Sequence, residues 1–139
     1  EIVDHDDLVY ILGDVAFMPA TKAREMVLRL NGRKILVEGN HDRKQLKDNS
    51  FRECFEEIHK YLDINYNGRK IVMFHYPIRL EWDQAHRGSI HFHGHLHGNP
   101  NGMHEYRARD MGYDATGKIV TLMEDAIEDA RKGKLPDHH

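Results

Sequence analysis

A run of alternating histidines, His-Phe-His-Gly-His-Leu-His-Gly at positions 91–98, gives the first indication of chemistry. Neutral imidazole is the commonest protein ligand for metal ions. If the run is a strand that breaks into a loop at Gly94, then His95 and His97 can both turn toward one point at the end of that strand. The two histidines before the glycine are interpreted as side chains of the strand itself, with hydrogen bonding in support of the metal ligands as an alternative role. The spacing therefore predicts two metal ligands, which need partners from elsewhere in the chain.

Residues that can bind a metal also follow three other apolar runs, each of which predicts a buried strand. They are Asp14 after residues 8–12, Asn40 and His41 after residues 34–38, and His75 after residues 71–74. Ligands of open α/β sheets bind just beyond the carboxyl ends of the strands, so we expect these side chains to meet there. One carboxylate, one amide oxygen and three of these four imidazoles would form a set that suits first-row divalent ions such as manganese, iron, zinc, cobalt or nickel.

The elements that must position these residues begin with a β-α-β unit. Apolar residues recur with helical spacing over residues 21–31, between the predicted strands at 8–12 and 34–38. A short connection of this type makes the two strands parallel neighbours, with a right-handed crossover. Residues 43–57 are mixed and polar, and they are interpreted as one short helix with an irregular start.

The second half of the chain continues with strands and ends in a helix. Asn67-Gly68 between two strand-like runs predicts a two-residue hairpin turn. Thr121 starts a capping-box pattern that predicts the beginning of the last helix. Strands and helices in this order predict an α/β fold with one domain over residues 1–139.

Four motifs in this order carry a resemblance to a known superfamily. Gly13-Asp14, Gly39-Asn40-His41-Asp42, the isolated His75 and Gly94-His95-Leu96-His97 resemble the later motifs of the calcineurin-like metallophosphoesterases. The chain is most similar to the small bacterial and phage-type members, and the resemblance covers nearly its whole length. It implies an α/β sandwich of mixed sheets flanked by helices, with the first strand of the family missing.

The resemblance also implies which residues hold two divalent ions. Asp14 would bridge them, His97 would bind the first, and Asn40, His75 and His95 would complete the second. Manganese is the first expectation, with iron, zinc, nickel, cobalt or magnesium as alternatives.

Catalytic roles follow from the same resemblance. His41 would assist the leaving group as a general acid or as a stabilising cation. Asp42 would orient either His41 or the backbone of its loop. Asn40 and Arg43 would contact the phosphate.

One motif of the superfamily is not found in this sequence. The family opens with Asp-x-His after a strand, and those side chains hold the first metal, whereas the acidic residues at 4–7 are interpreted as a solvated loop. The domain is therefore expected to be N-terminally incomplete. Two functions stay open. One is a phosphoric ester hydrolase acting on a mono- or diester through a metal-activated hydroxide. The other is a non-catalytic or impaired metal-binding or interaction domain on the same fold.

The amino-acid composition limits which binding partners and cellular locations are expected. Hydrophobic residues make up 40% and charged residues 31%, which fits a folded globular chain. The net charge of −3 does not indicate nucleic acid, but it does not exclude a local basic patch, so a nuclease of the same superfamily stays open as a further alternative. No apolar run is long enough to span a membrane, and no signal peptide is visible. The single cysteine favours a reducing compartment, so a cytoplasmic location is expected.

A phosphorylated small molecule or nucleotide is the expected substrate, and a sheet edge left by the missing strand could pair in a homo-oligomer.

Overall fold

The computed structural model describes residues 6–13, 20–29, 31–95, 105–112, 116 and 121–137. The chain divides into two compact units, residues 1–60 and residues 61–139. The prediction of one domain over the whole chain stays a prediction.

The first unit contains a three-stranded parallel sheet in the order β1-β2-β3. Its elements are β1 (Leu8–Ile11), α1 (Ala20–Arg29), β2 (Arg33–Val37), a 3₁₀ turn (Gln45–Lys47), α2 (Asn49–Arg52) and β3 (Glu57–His59). The predicted β-α-β unit is confirmed, because β1 and β2 are parallel neighbours on either side of α1 in the chain. The central strand β2 is buried from its second residue on, and its apolar run forms the middle of this sheet.

Apolar side chains from each part of this unit form its core. Buried Val27, Leu36, Leu46, Phe51 and Phe55 pack together. The two phenylalanine rings meet edge to face with centroids 5.3 Å apart, which is an arrangement that aromatic pairs prefer.

The predicted short helix with an irregular start lies within residues 43–57 as the 3₁₀ turn followed by α2, but Glu57 at the end of that range belongs to a strand. The Asp48 side chain accepts a hydrogen bond from the Ser50 amide at 2.8 Å, which starts the separate four-residue helix α2 after the 3₁₀ turn. Glu57–His59 then forms the strand β3, whose partner is Ile35–Val37. This short polar strand has neither an apolar run nor an alternation of apolar and polar residues that would predict it. Its pairing with β2 stabilises the extended conformation.

The second unit contains a four-stranded mixed sheet in the order β4-β5-β6-β7. Its elements are β4 (Tyr61–Tyr66), β5 (Arg69–Phe74), a 3₁₀ turn (Ala85–Arg87), β6 (Ile90–His93), β7 (Ala108–Asp110) and α3 (Met123–Ala130). The hairpin is confirmed: β4 and β5 are antiparallel, and Asn67 and Gly68 have φ of 51° and 82°, as a type I′ turn requires. The pairs β5-β6 and β6-β7 are parallel.

Together these elements confirm the α/β class with mixed sheets and helices that the sequence predicts. Helix α3 begins at Met123 and is preceded by Leu122, which makes no side-chain cap, so the capping box at Thr121 is wrong. Glu124, which would complete that box, instead accepts a hydrogen bond from the Tyr66 hydroxyl. None of the helices in the described ranges is long and apolar enough to cross a membrane.

A glycine after α3 permits a close backbone contact, and this gives a first prediction. A Cβ on Gly133 would lie 2.1 Å from the Tyr106 carbonyl oxygen. The backbones are close here because Lys134 and Tyr106 form an isolated parallel β-bridge. Gly133→Ala is therefore expected to cost about 1–3 kcal/mol or more of unfolding free energy, measured by urea denaturation. Gly68→Ala is the control: nothing lies within 4 Å of its Cβ, so only the strain of its positive φ, about 1 kcal/mol, should appear. A Gly133→Ala protein as stable as the native chain would contradict this contact.

Candidate functional site

Two of the predicted ligands, His75 and His95, lie side by side in the second unit. Strands β5 and β6 are parallel neighbours, and each histidine follows the carboxyl end of one of them. Their rings meet edge to face with centroids 5.1 Å apart and planes inclined by 74°. The Gly94 amide donates a hydrogen bond to the His75 carbonyl at 2.9 Å, which ties the two strand ends together.

Tyr76 completes a small cluster of rings at this edge. Its centroid lies 5.1 Å from that of His75 and 4.8 Å from that of His95. His75 is buried, whereas His95 is exposed. His95 also has a φ of 71°, which is uncommon for a residue with a side chain and tends to occur at functional sites.

The His75–His95 pair fits part of the predicted metal site. Two nitrogens bound to one ion at about 2.1 Å each lie no more than about 4.2 Å apart, and rings 5.1 Å apart at their centroids can meet that condition. Within the described ranges, no three His, Cys, Asp or Glu side chains come together as a metal site. Asp14 and His97, two further predicted ligands, lie outside the described residues.

The predicted residues 40–43 form a tight turn after β2 in the first unit. Asp42 is fully buried, and its carboxylate accepts a hydrogen bond from the Gly39 amide at 2.8 Å. The Asp42 amide in turn donates to the Gly39 carbonyl at 3.1 Å. These two hydrogen bonds hold the backbone of the turn.

The outer side of this turn is open and basic. His41 and Arg43 are exposed, and Asn40 is half-buried. These side chains line a surface pocket of about 600 Å³ together with Lys44, Gln45 and Lys47. Among these lining residues there are three cations and no carboxylate, so the local charge of the pocket is positive.

His91 and His93 are side chains of strand β6, as the sequence predicts. Both are fully buried, with ring centroids 5.3 Å apart. The His91 Nε2 accepts a hydrogen bond from the Ile78 amide at 2.9 Å, so its Nδ1, 3.0 Å from the Val72 carbonyl oxygen, carries the proton and donates there. The Nδ1 of His93 lies 3.0 Å from the Gly94 carbonyl oxygen, next to His95. In the sequence, only the alternation of histidines with other residues at positions 91–97 indicates that these two side chains belong to a strand.

Burial is the main cause that lowers the pKa of His91 from 6.5 to about 4. The neighbouring His93 acts in the same direction, and hydrogen bonding to the backbone of Val72 and Tyr76 acts in the opposite direction. A buried imidazole with this pKa is neutral in the folded protein at neutral pH.

The lowered pKa of His91 makes stability depend on pH. In the unfolded chain the pKa returns to 6.5, so between 6.5 and about 4 the unfolded state binds more protons. Stability from this group is present above 6.5 and is lost as the pH falls toward 4. We expect a loss of about 2 kcal/mol in unfolding free energy between pH 7 and pH 5.

Urea denaturation of the native chain and of His91→Gln at both pH values isolates this contribution, because the other titrating groups are common to both proteins. The drop should be smaller in the variant by about that amount. Equal drops would show that His91 titrates normally.

Comparison with known proteins gives relatives without an established activity. No family model matches the chain. An uncharacterized protein of Methanocaldococcus jannaschii is 37% identical over 103 residues, which cover 70% of this chain and 48% of that protein. The chain thus spans about half the length of this curated relative. The crystal structure of a protein of unknown function from Aquifex aeolicus matches with a TM-score of 0.61 and 27% identity, over 81% of this chain and 70% of the other.

Proposed function

We propose that this protein is a metal-dependent phosphoesterase of the calcineurin-like type, acting on a phosphate mono- or diester. The observation that carries the proposal is the pairing of His75 and His95 at the ends of two neighbouring parallel strands, with ring centroids 5.1 Å apart. Imidazoles at this spacing, at the end of a sheet where ligands bind, are what a transition-metal site requires.

The residues proposed to hold two divalent ions are Asp14, Asn40, His75, His95 and His97. Nitrogen and oxygen donors without a thiolate suit manganese first, and iron, zinc, nickel, cobalt or magnesium as alternatives. When bound, such ions polarise the phosphate and lower the pKa of water, which is the chemistry that phosphoester hydrolysis needs.

The residues of the first unit supply the remaining roles in the proposal. The exposed His41 imidazole donates a proton to the oxygen of the departing alcohol. Asp42 holds the turn that presents it, through the 2.8 Å hydrogen bond from the Gly39 amide. Asn40 and Arg43 bind the phosphate oxygens, at a pocket whose cations favour an anionic ester.

A purified, metal-free sample of the 139-residue chain tests the proposal. We expect no hydrolysis of p-nitrophenyl phosphate or bis(p-nitrophenyl) phosphate without metal, and hydrolysis of at least one of them after addition of manganese. A chelator should reverse the effect. The preferred ester would also distinguish a phosphomonoesterase from a phosphodiesterase.

Two other outcomes would overturn the proposal. Manganese binding without hydrolysis would support the alternative, a metal-binding or interaction domain on the same fold. That alternative draws on the observation that these 139 residues contain no Asp-x-His ahead of the Gly13-Asp14 motif, where the superfamily has it. No binding of any divalent ion would contradict both.

A further inference from the structure

The residues after His75 leave the sheet and are held by hydrogen bonds. The His75 carbonyl accepts from the Gly94 amide at 2.9 Å, and the Ile78 amide donates to the Nε2 of His91 at 2.9 Å. The segment 75–78 is thus attached to the sheet at both of its ends, once through the backbone and once through a side chain.

The side chain that makes the second attachment is itself rigidly placed. His91 is fully buried on β6, and its Nδ1 donates to the carbonyl of Val72 on the neighbouring strand β5. The Trp82 ring packs beside it with centroids 5.6 Å apart. Because one ring nitrogen is committed as the donor, the other is fixed as the acceptor for Ile78.

We propose that His91 is a positioning residue that fixes the backbone following His75 and thereby orients the His75 imidazole for metal binding. The orienting of a metal ligand rests on the proposed function; the hydrogen bond to Ile78 does not. A hydrogen-bonded neighbour that fixes a ligand's orientation commonly contributes about 10- to 100-fold to metal affinity.

Two substitutions separate the two hydrogen bonds of this imidazole. The shorter His91→Asn places an amide near the position of Nδ1, so it keeps the donor to Val72 and loses the acceptor for Ile78. The longer His91→Gln places a carbonyl oxygen near the position of Nε2, so it keeps the acceptor for Ile78. Both variants bury an amide in place of a ring, so each is the control for the other in overall stability.

Two readouts then decide the proposal. In the metal-free protein, the Ile78 amide should exchange with solvent at least about tenfold faster in His91→Asn than in His91→Gln. In calorimetric titrations, manganese affinity should fall about 10- to 100-fold in His91→Asn and stay within about threefold of native in His91→Gln. Equal exchange rates, or unequal exchange with equal affinities, would overturn the positioning role.

Absence of manganese binding by the native chain would overturn the proposed function and, with it, the orienting of a ligand, while the exchange rates would still decide the hydrogen bond. If neither His91 variant folds, Ile78→Pro removes the donor from the other side, and Ile78→Ala is its control with the amide retained. The proline variant should then bind manganese about tenfold or more weakly than the alanine variant. Equal affinities of these two would overturn the proposal.

Discussion

His41→Ala is expected to lower kcat for a phosphodiester by about 10²- to 10⁴-fold while leaving manganese affinity within about twofold of native. His41 is exposed on a turn that Asp42 holds through backbone hydrogen bonds, so removal of the imidazole should leave the turn intact. The free energy of unfolding should accordingly change by no more than about 0.5 kcal/mol.

The leaving group sharpens this prediction. An alcohol with a high pKa needs a proton as it departs, whereas p-nitrophenol departs readily as the anion. The loss in His41→Ala should therefore be larger for an alkyl phosphodiester than for bis(p-nitrophenyl) phosphate. An equal loss for both esters would indicate that His41 binds the phosphate instead of protonating the leaving group.

His59→Ala is the matched control, because His59 is another histidine of the first unit and lies on the edge strand β3. Its side chain pairs with the Glu57 carboxylate at 2.7 Å, outside the turn at residues 40–43. This variant should keep native kcat and native metal affinity. A loss comparable to that of His41→Ala would show that the assay does not report on the turn.

His95→Gly is expected to weaken manganese binding by at least about 100-fold, because it removes one of two imidazoles that meet at the sheet edge. The unfolding free energy should stay within about 1 kcal/mol of native or rise, since glycine adopts the φ of 71° found at this position without steric cost. Loss of binding without loss of stability separates a functional residue from a packing residue.

The experiment is a manganese titration with a parallel urea denaturation. His86→Ala serves as the control, because His86 is a half-buried histidine of the same unit and lies in the 3₁₀ turn before β6. It should bind manganese as the native chain does. Native affinity in His95→Gly would contradict a ligand role for this residue.

Local geometry explains which parts of the fold can be predicted from the sequence. Asn67-Gly68 predicts the hairpin because both residues adopt positive φ readily. The apolar runs of β1 and β2 predict the two parallel strands of the β-α-β unit. Strand β2 is buried as predicted, whereas the prediction that β1 is buried is wrong, since Leu8 is 44% exposed and the rest of the strand is only half-buried. The strand Glu57–His59 has no apolar run in the sequence, because its pairing with β2 decides its conformation. The capping box at Thr121 fails because Glu124 bonds to Tyr66, 58 residues away.

The candidate site also contains some residues whose positions can be predicted from the sequence and some whose contacts cannot. His75 and His95 are predictable because each follows the end of a strand, and the parallel pairing of β5 and β6 brings them together. The hydrogen bonds of His91 are not predictable, because they depend on where the Ile78 amide and the Val72 carbonyl lie in space. Residue type alone makes His91 look like a fourth ligand, whereas both of its nitrogens are engaged with the backbone.

Metal-dependent hydrolysis is tested most directly by the rate of bis(p-nitrophenyl) phosphate hydrolysis against bound manganese, measured on one sample of the native chain. We expect a rate near zero in the metal-free protein and a rate that rises as manganese occupies the site. We also expect that His95→Gly reaches the same rate only at about 100-fold higher manganese. A rate that is independent of bound manganese, or unchanged in His95→Gly, would contradict the proposed function.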